Sequence, residues 1–190
     1  MKKLVITLAL ASMTAAGAFA QGTMVFENYF GSGNANNAPV KLSDGVTLAT
    51  GSAYLADFIY GTSAGTVTTD GGIAKPFSSG AGAGFFLGGT QNIGAAAGTY
   101  FLEVVVWQAS AGASWAAATG GTGLAANYTG TQYGIGNIFS IAAPASPAVP
   151  PTFSGLITPL TLQATISPEP ATLAISGLGA AALLMFRRRK

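Results

Sequence analysis

Residues 98–108 read GTYFLEVVVWQ, and this run carries the strongest strand signal of the chain. β-Branched and aromatic residues dominate it, and such residues are enriched in strands. Because successive side chains of a strand point to opposite faces, the run has two faces, and the apolar character of both predicts a central strand covered on both sides. One face carries Tyr100, Leu102, Val104 and Val106, and the other carries Phe101, Glu103, Val105 and Trp107.

Other strand candidates lie on both sides of this run, separated by turns rich in Gly and Pro. Short strands at such spacing predict an all-β fold. We expect a single antiparallel β-sandwich of jelly-roll or immunoglobulin-like type. The candidates are Thr23–Phe30, two short segments around the hairpin signal Asp44-Gly45, Ser52–Tyr60, Asn137–Ala142 and one or two strands within Phe153–Ile166.

Three further segments give less direct signals. Ala109–Gly120 contains Ala, Ser and Trp115 and is compatible with one short helical turn, and Asn127–Gly136 predicts a loop. Gly clusters surround the short apolar run Phe85–Leu87. Bulges and tight loops both remain open there.

Charge is concentrated at the two ends of the chain. The formal net charge is +2, but the ends supply six of the eight cations. Between Gln21 and Ser167 two lysines stand against five acids, which gives this part a net charge of −3. No basic patch is available to neutralise phosphates, so we expect no nucleic-acid partner. Cysteine is absent, so the fold depends on its core rather than on disulfides.

The residue types present exclude several kinds of active site. With no His and no Cys, the chain has no Ser-His-Asp triad, no Cys-His pair and no common zinc site. Among the routes to hydrolysis that remain, a carboxylate pair is favoured, and Glu27 and Glu103 are its candidates. Loop Asp and Asn residues do not follow the spacing of a calcium-binding loop. We therefore expect a protein that is not an enzyme, with no catalytic residue, no metal site and no cofactor.

Three aromatic residues are candidates for ligand binding. Trp115, Tyr128 and Tyr133 fall in predicted loops, where exposed rings can stack on sugars. The alternative interpretation is that such rings belong to the core.

The N-terminus has the three parts of a signal peptide. Lys2 and Lys3 precede the apolar segment Leu4–Ala11, and Ala18-Phe19-Ala20 forms a small-residue cleavage site. The pattern predicts a signal helix, export through the Sec translocon and cleavage between Ala20 and Gln21. An uncleaved membrane anchor is the alternative.

The C-terminus combines a Pro-flanked acid, an apolar span and a basic end. Pro168-Glu169-Pro170 is followed by the uncharged span Ala171–Phe186 and then by Arg187, Arg188, Arg189 and Lys190. As a helix, sixteen residues reach about 24 Å, which is short for a hydrocarbon core of about 30 Å. Snorkelling arginines or local thinning of the bilayer would close the gap. The span predicts a transmembrane helix whose basic end stays cytoplasmic.

This order of parts closely resembles the PEP-CTERM sorting signal, whose tag is also labelled an ice-binding protein C-terminal domain. The resemblance implies recognition by exosortase, an integral-membrane enzyme of Gram-negative bacteria that make exopolysaccharide. It assigns recognition to Pro168, Glu169 and Pro170, and the basic end to Arg187–Arg189. Ser167 stands where the family usually has Val. A plain tail anchor is the alternative.

The sequence thus predicts three parts: a signal peptide (1–20), an exported β-domain (21–166) and a sorting tag (167–190). We expect the chain to be exported, held transiently in the inner membrane by its C-terminal helix, and then released to the cell surface or outside. Its expected role is structural or adhesive. A carbohydrate-binding module for the cell's own polysaccharide is the alternative, and a glycoside hydrolase is the least favoured one.

Overall fold

The computed structural model describes residues 22–94, 96–144 and 148–165. These ranges are almost entirely strands and loops, with mainly antiparallel pairing and few helical turns, which confirms the all-β class. The strands are β1 (Gly22–Glu27), β2 (Val40–Lys41), β3 (Tyr54–Gly61), β4 (Thr69–Asp70), β5 (Lys75–Pro76), β6 (Leu87–Ile93), β7 (Gly98–Gln108), β8 (Gln132–Ile135), β9 (Phe139–Ala143), β10 (Leu160–Thr161) and β11 (Gln163–Ala164). The one α-helix among them is α1 (Trp115–Ala118), and single 3₁₀ turns occur at Gly51–Ala53, Ala64–Thr66, Gly80–Gly82, Ala109–Ala111 and Ala125–Asn127.

No helix within the described ranges is long and apolar enough to cross a membrane. The predicted signal helix (1–20) and the predicted transmembrane span (171–186) both lie outside the described residues.

Strand β7 is the centre of the largest sheet, as its sequence predicts. It pairs with β3 along eight residue pairs, from Tyr54 opposite Gln108 to Gly61 opposite Phe101. Its other edge pairs with β8 near one end and with β9 near the other. The strand order is β11-β8-β7-β3-β4, and β5 also pairs with β3.

The two faces of this sheet carry two separate cores. Leu102, Val104 and Val106 of β7 lie in the larger core, together with Ala56 and Phe58 of β3. The alternate positions contribute to a smaller core: Ile59, Val105 and Trp107. The prediction that both faces of β7 are covered is confirmed.

The larger core is closed by the pair formed by β1 and β6. Phe26 of β1 is fully buried, and its ring centre lies 4.6 Å from that of Phe86, 5.4 Å from Phe58 and 5.8 Å from Phe153. Aromatic rings at such separations add to the stability gained from burial alone. The predicted strand at the start of the domain is therefore confirmed, and its apolar face is the one that packs on the central sheet.

Strands β2 and β10 form a parallel pair, Leu160 opposite Val40 and Thr161 opposite Lys41. The predicted closing strands are confirmed as β10 and β11, but β10 departs from the purely antiparallel pattern. The jelly-roll or immunoglobulin-like type of the sandwich stays a prediction.

Candidate functional site

The three candidate aromatic residues come together in one cluster. The ring of Trp115 stacks on that of Tyr128, with centroids 5.9 Å apart and an interplanar angle of 20°. Tyr133 lies 5.1 Å from Tyr128 and 6.3 Å from Trp115, measured between ring centres. The sequence identified the members of this cluster but not their proximity.

Their predicted loop positions need correction for two of the three. Trp115 is the first residue of α1, and Tyr133 lies on β8, where it pairs with Trp107. Trp115 is 0% exposed, and its indole Nε1 donates a hydrogen bond of 2.9 Å to the carbonyl of Gly123. Trp115 therefore contacts the two tyrosines from the interior of the protein, and its buried ring cannot itself stack on a ligand.

The loop that follows β7 folds back over the sheet because of two local features. The hydroxyl of Ser114 accepts a hydrogen bond of 3.1 Å from the backbone N–H of Ala117, which caps the short helix α1. Gly112 approaches the helix so closely that a Cβ there would lie 2.7 Å from the nitrogen of Ala118. The carbonyl of Gly112 also accepts a 2.8 Å hydrogen bond from Trp107 Nε1, so the loop is held directly against β7.

Tyr128 and Tyr133 are half-buried and line an open groove of about 610 Å³. This volume is within the range of small-molecule sites. One wall comes from residues 125–131 and the other from the end of the described chain, residues 163–165. The polar side chains along the groove are Thr129, Thr131, Gln163 and Thr165.

The rim of the groove is fixed by Gln108. Its side-chain oxygen accepts hydrogen bonds from the backbone N–H of Thr131 at 2.9 Å, from the Thr131 hydroxyl at 2.8 Å and from the backbone N–H of Gln132 at 3.3 Å. The Tyr128 hydroxyl donates to the carbonyl of Gln132 at 2.7 Å and accepts from the backbone N–H of Gln108 at 3.1 Å. Burial raises the pKa of the Tyr128 phenol. Tyr128 is thus available through its ring rather than its hydroxyl.

The two carboxylates considered for hydrolysis are not brought together. Glu27 alternates with Phe26 on β1, so it points away from the larger core that Phe26 fills. Glu103 lies on the face of β7 opposite to Leu102, toward the smaller core. Burial raises the pKa of both carboxyls. Within the described ranges, no group of three or more His, Cys, Asp or Glu side chains is arranged to hold a metal ion.

A different pair of acids, Asp57 and Asp70, is adjacent in the fold, and the sequence interpretation missed it. Asp57 is 0% exposed, and its two oxygens accept hydrogen bonds from the backbone N–H of Phe58 at 2.8 Å and of Ile73 at 2.9 Å. Asp70 accepts from the N–H of Gly72 at 2.8 Å and of Ala116 at 3.0 Å. Burial, with a smaller contribution from the Asp70 charge, raises the pKa of Asp57 to about 7 despite its two hydrogen bonds. The pair ties β3, the following turn and α1 together.

The available signal for this pair was the alternation of β3, which places Asp57 on the same face as Leu55 and Ile59. An acid between two apolar residues of a central strand predicts a buried carboxyl. Its partner could not be found in the same way, because Asp70-Gly71-Gly72 reads as an ordinary turn.

The predicted processing residues lie outside the described ranges, and their roles stay predictions. They are Ala18, Ala20 and Gln21 at the signal cleavage site, Pro168, Glu169 and Pro170 in the sorting motif, and Arg187, Arg188, Arg189 and Lys190 at the basic end.

Comparison with known protein families gives a match at the C-terminal end of the chain. The family model of the PEP-CTERM protein-sorting motif matches residues 168–190. This confirms the resemblance seen in the sequence, and it implies processing by exosortase, a C-terminal sorting signal anchored in the membrane, and export to the cell surface. No curated protein matches the chain, and no solved structure matches it.

Proposed function

We propose that the chain is a non-catalytic structural or adhesive component of the cell surface or extracellular matrix of a Gram-negative, exopolysaccharide-producing bacterium. The match of residues 168–190 to the PEP-CTERM sorting motif is the observation that carries this proposal. The folded part supplies a rigid body for such a role, since β7 is covered on both faces by packed side chains.

The arrangement of acids supports a non-catalytic role. Glu27 and Glu103 lie on faces that point in different directions, and Asp57 is buried with both oxygens occupied by backbone N–H groups. A glycoside hydrolase needs two carboxyl groups that flank one bond within reach of solvent. These three acids do not provide that arrangement.

The sparse charge of the exported part suits dense packing at a surface. A net charge of −3 over residues 21–167 gives weak repulsion between neighbouring copies. Matrix components accumulate at high local concentration, where strong like charge would keep them apart.

The test is to produce the full chain in a bacterium that has exosortase and in one that lacks it. We expect removal of residues 1–20, cleavage near Pro168–Pro170 only where exosortase is present, and recovery of the cleaved protein from the surface or matrix fraction. Intact-mass analysis checks both ends. If residues 171–190 remain attached in the presence of active exosortase, the tail is a plain membrane anchor and the proposal fails.

A carbohydrate-binding role is the second candidate, and the groove beside Tyr128 and Tyr133 favours it. Half-exposed aromatic rings bordered by hydroxyl and amide groups suit stacking and hydrogen bonding to a sugar. Calorimetric titration with the host's own polysaccharide tests this role. We expect Tyr133→Ala to reduce binding by at least tenfold, and Tyr29→Ala, a half-buried tyrosine outside the groove, to leave it unchanged. Equal binding by both variants would remove this candidate.

A further inference from the structure

The last sheet contacts within the described residues lie very close in sequence to the sorting motif. β11 pairs with β8, with Gln163 opposite Tyr133 and Ala164 opposite Gln132. Thr165 continues this edge, because its N–H donates to the carbonyl of Thr131 and its hydroxyl to the carbonyl of Gly130, both at 2.8 Å. Pro168 follows only three residues later.

Three residues set a short upper limit on the distance between the sheet edge and the motif. At 3.3–3.6 Å per residue, the chain from Thr165 to Pro168 spans at most about 11 Å, even when it is fully extended. This is roughly the diameter of one α-helix with its side chains. An enzyme that surrounds the backbone of the motif would therefore meet the folded sheet edge.

Two anchors hold this end of the chain, an outer one at β11 and an inner one at Leu162, and they differ greatly in burial. Both residues of β11 are exposed, and their pairing with β8 covers two residues. Leu162, directly before them, is 2% exposed and lies in the larger core, and its N–H donates to the carbonyl of Lys41 at 2.8 Å.

Gly134 of β8 explains why the inner anchor is tight. A Cβ at this position would lie 2.8 Å from the side chain of Leu160 and 2.8 Å from that of Leu162. Both leucines therefore pack directly on the backbone of β8, where no side chain stands between. Detaching residues 163–165 breaks hydrogen bonds at an edge that is exposed at Gln163 and Ala164 and half-buried at Thr165, whereas detaching Leu162 would open the core.

We propose that residues 163–165 detach from β8 when the sorting enzyme takes the motif, while Leu162 stays in the core. The detached chain then extends from Leu162, and its reach to Pro168 rises from about 11 Å to about 20 Å. This inference rests on the proposed processing by exosortase. It also means that the groove beside Tyr128 and Tyr133 loses one wall during processing, because residues 163–165 form that wall.

A disulfide between β11 and β8 tests the proposal. Gln132→Cys with Ala164→Cys replaces two residues that stand opposite each other, and opposite residues of antiparallel strands have Cα separations suited to a disulfide. The natural chain has no cysteine, so no other disulfide can form within one chain, and the monomeric fraction is used to exclude disulfides between chains. Membranes containing exosortase are given the full-length chain, and cleavage is followed with and without a thiol reductant. We expect the oxidised variant to be cleaved at least tenfold more slowly than the reduced one.

The disulfide between β11 and β8 is called the lock below. Two further variants test whether slower cleavage comes from the lock itself or from any disulfide in the domain. Thr99→Cys with Ala142→Cys joins an exposed opposite pair of β7 and β9 remote from the tail, and it should be cleaved equally fast in both redox states. Six Gly and Ser residues inserted after Thr165 should restore cleavage of the oxidised β11–β8 lock. Equal rates for that lock in both redox states, or no restoration by the insertion, would overturn the inference alone. A natural chain that is not cleaved at all would overturn the sorting assignment and the inference with it.

Discussion

Asp57 is a buried acid whose ionisation opposes folding. Its pKa is about 7 in the folded protein, mainly because of burial, and about 3.9 in an unfolded chain. Below pH 4 both states are protonated, and the group has no effect on stability. Between pH 4 and 7 the unfolded chain releases the proton while the folded protein keeps it, so stability falls as pH rises. The full loss, reached above pH 7, is about 4 kcal/mol at 1.36 kcal/mol per pKa unit.

The first prediction follows from this linkage. The thermal midpoint should be higher at pH 4.5 than at pH 7.5, and Asp57→Asn should reduce the difference because asparagine does not ionise. Asp44→Asn is the control, since Asp44 is exposed and its hydrogen bond from Thr47 lowers its pKa, which is the opposite direction. Circular-dichroism melts across this range provide the measurement. An unchanged pH dependence in Asp57→Asn would mean that the buried carboxyl is ionised in the folded state.

The second prediction concerns Asn28, which is 1% exposed and satisfies three buried backbone groups. Its amide nitrogen donates to the carbonyls of Ala38 at 2.8 Å and Gly84 at 3.0 Å, and its oxygen accepts from the N–H of Phe86 at 2.7 Å. Asn28→Ala leaves these groups unpaired, at about 1–3 kcal/mol each. We expect a loss of roughly 3 kcal/mol or more in urea unfolding. Asn92→Ala, at an exposed position of β6, should stay within about 0.5 kcal/mol. Similar losses in both variants would show that the network is not what stabilises these loops.

Among the strands, β7 gives the most direct test of the fold, and it provides the third prediction. Val104 is 5% exposed and lies mid-strand in the larger core. Val104→Asp would bury an unpaired carboxyl at a cost of several kcal/mol, against a typical total stability of about 5–15 kcal/mol. We expect this variant not to accumulate as a folded exported protein, whereas Thr68→Asp, at an exposed position, should. Comparable melting midpoints for the two variants would contradict the central position of β7.

The strands that could be predicted are those whose side chains alternate. β7 and β3 alternate between two cores, and β1 buries Met24 and Phe26 while its other face is less buried. β6 was missed because its sequence, LGGTQNI, contains two glycines and buries only Gln91 and Ile93. This strand is held by backbone hydrogen bonds to β1. Such bonds do not depend on the side chains, so they produce no alternation of apolar residues that a sequence could show.

The candidate site shows a second limit of sequence interpretation. Its aromatic residues were identifiable by type, but the groove also needs residues 163–165, which are some thirty positions away from Tyr133. Burial of Trp115 depends on the same long-range packing, since its ring rests on Trp107 with centres 5.8 Å apart. Such contacts follow from the sheet order, which alternation alone does not specify.

For the molecule as a whole, the fourth prediction concerns delivery. Arg187, Arg188 and Arg189 should keep the end of the tail on the cytoplasmic side, because each charge costs roughly 2.5–3.5 kcal/mol at the bilayer centre. Replacing all three with Ser should produce mis-sorted or over-secreted protein in cell fractionation. Lys75→Ser, which removes a cation from the folded domain, should not. Unchanged localisation of the triple variant would show that Lys190 and the apolar span are sufficient.

The parallel pair of β2 and β10 links Val40 to Leu160, positions 120 residues apart in the chain. Contacts of such long range slow folding, because a large loop must close before the contact forms. On the export route predicted from the signal peptide, the chain emerges from its N-terminus, so β2 would leave the membrane long before its partner does. The domain therefore completes its fold only when the segment next to the tag has crossed the membrane. Until that moment its strand edges stay open, and unpaired edges are the part of a partly folded chain that is most prone to pair with another chain.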